Sequence, residues 1–189
     1  MSLDAQRSEL EQLGFRIVEQ SGDSLIAITK KFHWDCVFTK LSYVVFVREI
    51  AELTPAVIEA DRLGLEQRTR QLDPSILPRG LQKGIAVIVA YLAERVTPEA
   101  RALCESKPKV RFAYFYLPAA RDGATGLDHY LKTTPAWGAI YFSKLRFVIQ
   151  KVLTPGQGGS SWPVSGGGAV MTLFIAAVLV VNLALFLSR

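Results

Sequence analysis

The sequence predicts an α/β domain with a mixed sheet and helix cover, followed by one C-terminal transmembrane helix. Three observations predict it. Hydrophobic patterns of period 2 and period 3.6 alternate along residues 1–153. Thr54-Pro55 and Thr97-Pro98 each place an N-cap and a first-turn proline between two strand-like runs. The nineteen residues from Ala169 to Leu187 contain no charge.

The element order reads α-β-β-β-α-β-α-β-β-α. The polar start, "MSLDAQRSELEQLG", carries Leu3, Leu10 and Leu13 at helical spacing. "FRIVEQ" (15–20) and "SLIAITK" (24–30) are strands joined at Ser21-Gly22-Asp23, a hairpin signal. "DCVFTKLSYVVFVREI" (35–50) alternates. Val37, Leu41, Tyr43, Val45 and Val47 share one face, and Phe38, Val44 and Phe46 share the other with Lys40, Ser42 and Arg48.

A helix runs from Thr54 to about Thr69, with Val57, Ile58, Leu63 and Leu65 inside. The continuous apolar run "GIAVIVAYLA" (84–93) is a strand covered on both faces. A short helix follows to Ser106. "KVRFAYFYLP" (109–118) is a strand that Pro118 ends, and "LDHYLKT" (127–133) pairs back on it after the turn "RDGATG". The last helix of the domain, 136–153, packs Tyr141, Phe142, Leu145, Val148, Ile149 and Val152 on the sheet. Strands alternating with helices in the middle of the chain imply parallel pairs.

Residues 154–168, "TPGQGGSSWPVSGGG", hold six Gly, two Pro and three Ser, a composition expected of a flexible linker. Trp162 is its one large side chain, expected either in solvent or at the headgroup level as an interface anchor. A helix of nineteen residues is about 28 Å long, close to the ~30 Å hydrocarbon core of a bilayer. Ala169, Leu173, Phe174, Ile175, Leu179, Leu183, Leu185 and Phe186 form the expected anchor. Asn182 and the small residues Ala176, Ala177 and Ala184 are the expected contacts with another helix.

The chain has 22 basic and 17 acidic residues. After Asp128 there is no acid but five bases, so residues 1–128 are formally neutral. Lys144, Arg146 and Lys151 make the expected juxtamembrane basic flank. That flank predicts a cytoplasmic domain, with the C-terminus across the membrane. No basic n-region precedes an apolar h-region at the start, so the expected topology is tail-anchored. The basic balance then reports the membrane flank, and no nucleic-acid partner is expected.

Chemistry-bearing motifs are sparse. Only two His and two Cys occur, so a tetrahedral zinc site would need Cys36, Cys104, His33 and His129 together. Cys36 and Cys104 lie in apolar surroundings and are expected to be reduced and buried. The element order is compatible, at the level of fold alone, with restriction-endonuclease-like domains. Those require an acid on one strand and Glu-x-Lys on the next, to hold a divalent ion. Glu105-Ser106-Lys107 has the letters but lies at a helix end. No G-x-S-x-G, Walker motif or strand-borne G-x-G-x-x-G occurs. No cofactor is expected. The expected function is an interaction or accessory subunit at a membrane complex, contacting the bilayer and a membrane-protein partner. The alternative is a membrane-tethered enzyme, a divergent or inactive nuclease of that kind or a hydrolase.

Overall fold

A computed structural model describes residues 3–33, 39–72, 83–108, 114–135, 139–157 and 162–163. Its elements follow the predicted order: α1 (Asp4–Gln12), β1 (Arg16–Ser21), β2 (Ser24–His33), β3 (Thr39–Leu53), α2 (Pro55–Leu72), β4 (Lys83–Val96), α3 (Pro98–Glu105), β5 (Tyr114–Asp122), β6 (Asp128–His129) and α4 (Ala139–Leu153). The strands form one six-stranded sheet in sequence order. β1, β2 and β3 are an antiparallel meander, β3, β4 and β5 are parallel, and β6 returns antiparallel. Two consecutive crossovers step in the same direction along the sheet. Right-handed connection therefore puts α2 and α3 on one face.

The alternation of β3 decides which side chains meet which helices. Leu41, Tyr43, Val45 and Val47 join Leu10 of α1 and Phe142, Leu145, Val148 and Val152 of α4 in one core. Val44 and Phe46 point the other way and pack with Ile58 of α2 and Ala100 and Cys104 of α3. β4 feeds both cores, with Ala86, Ile88 and Ala90 on one side and Val87, Val89 and Tyr91 on the other. That explains its unbroken apolar run.

Both Thr-Pro helix starts form as expected. The Thr97 hydroxyl accepts the Ala100 N–H at 3.3 Å, and Thr54 accepts that of Val57 at 3.5 Å. Pro118 does not end β5. The strand passes through it to Asp122, because β6 covers only Ala120 and Arg121 and leaves position 118 on an open edge. A missing N–H costs nothing where no neighbouring carbonyl awaits it. β6 is two residues long, far shorter than the 127–133 run suggested.

Among the described residues no helix is long and apolar enough to cross a membrane. The anchor residues Ala169 to Phe186, with the helix-contact residues Ala176, Ala177, Asn182 and Ala184, lie outside the described residues. So do Asp35 and Cys36.

Candidate functional site

The carboxyl ends of β3, β4 and β5 open into a cleft of about 850 Å³. Parallel strands leave this place free for ligands, because the chain departs there into crossovers. Strand parity puts Glu49, Glu94 and Arg121 one step beyond the first core, on three neighbouring strands. Ile50, Leu92 and Leu153 supply apolar wall, and Gln6 of α1 closes one side.

The floor is set by backbone. Gly123 donates its N–H to the Ala93 carbonyl at 2.8 Å, and Ala124 donates to Glu94 at 2.9 Å. A Cβ on residue 123 would sit 3.1 Å from that Ala93 oxygen, so the turn after β5 needs glycine to lie flat on β4. Arg121 is already bound to Asp128 at 2.9 Å. The formal charge of the cleft and its supporting pair is therefore negative. Among the described residues no three His, Cys, Asp or Glu side chains come together to hold a metal ion.

Beside the cleft, α1 and α4 are locked by a buried ion pair. Lys151 Nζ lies 2.9 Å from a Glu9 carboxylate oxygen, and the two side chains are 5 % and 9 % exposed. The other Glu9 oxygen accepts the Gly156 N–H at 3.0 Å, from a glycine at φ +80°. Burial alone would raise the Glu9 carboxyl. The Lys151 and Gly156 hydrogen bonds, with the Lys151 charge, outweigh burial and hold it below its ordinary 4.5.

Two of the three expected juxtamembrane bases are inside the protein: Lys144 is 3 % and Lys151 4 % exposed. Neither ammonium is open to a lipid surface. Arg146 binds the Lys132 and Thr133 carbonyls and the Thr134 hydroxyl. The first stretch of the expected linker is also held, through Gly156. Trp162 is half-buried and packed on the domain. Its ring stacks on Phe15, meets Tyr43 edge-on at 5.2 Å and lies 5.9 Å from Phe147. Lys31 Nζ sits over the indole at 5.4 Å, and the indole N–H reaches the Leu13 carbonyl at 3.4 Å.

The remaining chemistry-bearing residues sit elsewhere. Glu105, of the Glu-Ser-Lys letters, ends α3 and bonds His129 Nδ1 at 2.9 Å. Burial, with the Glu105 charge adding to it, pushes the Cys104 thiol up to about 12, so it stays protonated. The cleft itself was missed in the sequence. Its signal is charge appearing at the same parity on successive strands, Glu49, Glu94 and Arg121, immediately after apolar runs. No family model and no curated protein matches the chain.

Proposed function

We propose that the chain is a membrane-tethered interaction domain, an accessory subunit held at a bilayer by residues 169–187, whose strand-end cleft receives a basic side chain of a membrane partner. The observation that carries the docking half is the cleft itself: two carboxylates on adjacent strands, apolar walls, and a guanidinium already neutralised by Asp128. A lysine or arginine of a partner suits that lining, its stem on Ile50 and Leu92 and its charge near Glu49 and Glu94. The uncharged run from Ala169 to Leu187 supports the tether. Tethering raises the effective concentration of a weak binder toward its neighbours in the same membrane.

The test is crosslinked affinity purification in mild detergent, with mass spectrometry. The full chain runs beside Glu49→Lys/Glu94→Lys and beside a version ending at Pro163, which keeps the Gly156 and Trp162 contacts. A stoichiometric membrane protein bound by the full chain and lost on charge reversal is the expected result. A partner that needs residues 164–189 and ignores the reversal moves recognition to the anchor, where Asn182, Ala176, Ala177 and Ala184 are the expected contacts. No stoichiometric partner in any sample overturns the subunit reading.

A further inference from the structure

A glycine in the left-handed region just after a helix ordinarily donates its N–H back to that helix's last carbonyls. Gly156, at φ +80°, donates instead to Glu9 of α1 at 3.0 Å. Thr154 still closes on α4, its N–H and its hydroxyl both donating to the Gln150 carbonyl at 2.9 Å. The Gln157 N–H then returns to the Thr154 carbonyl at 3.3 Å. Residues 154–157 are thus a tight turn that begins on α4 and is positioned by α1.

That turn is part of the strand-end cleft. Thr154, Pro155 and Gln157 line it together with Gln6, Glu49 and Glu94. Gln6 and Glu9 lie three residues apart on α1, neighbours on one helix face. One helix therefore lines the cleft with Gln6 and pins another part of its lining through Glu9. Trp162 adds a second attachment a few residues on. Its indole N–H reaches the Leu13 carbonyl at 3.4 Å and its ring stacks on Phe15, at the bend that follows α1.

Neither attachment is strong by itself. Gly156 is exposed and Trp162 is half-buried. A segment with few buried contacts opens locally more easily than the core. Opening removes Thr154, Pro155 and Gln157 from the cleft. A ligand in the cleft meets those residues only when the segment is seated, so it favours the seated state by its difference in affinity for the two.

We propose that the segment carrying residues 154–157 and Trp162 is a strap that completes the cleft, and that seating of the strap is linked to capture of a lysine or arginine side chain. The proposal rests on the cleft reading above and adds its regulation. Unseating the strap lowers the affinity for a basic partner, and a bound partner holds the strap down. The strap is also the covalent path from the domain to residues 169–187. Recognition and the expected anchor are thereby joined through one short segment.

The experiment uses the full chain in mild detergent, with Nα-acetyl-lysine methylamide as the probe and uncharged Nα-acetyl-norleucine methylamide as its control. Binding is read by nuclear magnetic resonance titration, and hydrogen exchange is read at the Gly156 amide. Gly156→Pro releases the turn, because proline cannot take φ +80° and has no N–H for Glu9. Trp162→Ala releases the second attachment and carries the test if Gly156→Pro does not fold. The expected result is that the lysine probe slows Gly156 exchange and that the strap variants bind it more weakly. Coupled sites ordinarily shift one another by about fivefold or more, and linkage makes the two effects reciprocal. Folded variants that bind the probe as tightly as the parent overturn the linkage and leave the cleft reading standing. So does Gly156 exchange that is indifferent to bound probe. A parent that fails to bind the probe, or binds it equally after Glu49→Lys/Glu94→Lys, overturns the cleft reading and the proposal with it.

Discussion

The two faces of the sheet are covered in different ways. α2 and α3 are crossover helices, each tied at both ends to neighbouring strands. Their ion pairs stand at the rim: Arg48 grips Asp61 at 2.7 and 2.9 Å, and Arg62 bonds Glu59 one turn away. α1 and α4 come from opposite ends of the domain, and each joins the sheet through one end only. Between them lies the buried Glu9–Lys151 pair, with Gly156 and Trp162 docked alongside. Where connectivity fixes a helix, charges stay solvated. Where it does not, a buried polar lock and an aromatic seat set the register.

The sharpest break of that contrast is Lys151→Ala. It strands a buried carboxylate and is expected to cost about 3–5 kcal/mol, read as a lower urea midpoint in mild detergent. Glu9→Leu/Lys151→Met is expected to recover most of that loss, since it leaves no buried charge behind. If the single and double variants lose equally, packing rather than charge holds α1 to α4.

Trp162→Ala comes next, at about 2 kcal/mol. The indole is half-buried and touches three aromatic rings, so its loss is smaller than that of a core aromatic. A solvent-exposed linker tryptophan would cost nothing in the same urea titration.

Acid should act on the α1–α4 face first. The folded Glu9 carboxyl lies below its ordinary 4.5. Its contribution is therefore complete above that value and is lost as pH falls through the lowered folded one. Glu9→Gln should flatten this part of the acid limb of stability against pH, and an unchanged limb would place acid sensitivity elsewhere. Smallest is Arg48→Ala on the other face. Its partners are partly exposed, and about 0–1 kcal/mol is expected from a double-variant cycle with Asp61→Ala. A value near that of Lys151 would erase the distinction between the faces.

Much of this architecture was legible because local signals agreed. The Thr-Pro starts, the Ser-Gly-Asp turn and the parity of β3 each stated in sequence what packing then used. The contacts that were not legible share a cause: they depend on residues far apart in the chain. Lys151 reads as a solvated helix lysine until Glu9, 142 positions earlier, is folded beside it. Trp162 reads as linker because its seat is assembled from Phe15, Tyr43 and Phe147. Pro118 reads as a strand end unless β6 is known to stop at two residues. Glu49, Glu94 and Arg121 look like ordinary strand-end charges until the sheet order brings them around one cleft, with Leu92 between Glu49 and Arg121 and Glu94 one step beyond it.

The two outermost strands bear on behaviour in a crowd. β1 is solvent-facing along nearly its whole length, and its pairing slips between Ile17 and Glu19, twisting the border out of flatness. On the other border, Pro118 offers no donor, and the short β6 caps the rungs beyond it. Neither border is a clean template for another chain's strand. An incoming strand would meet a slipped register on one side and a missing donor on the other.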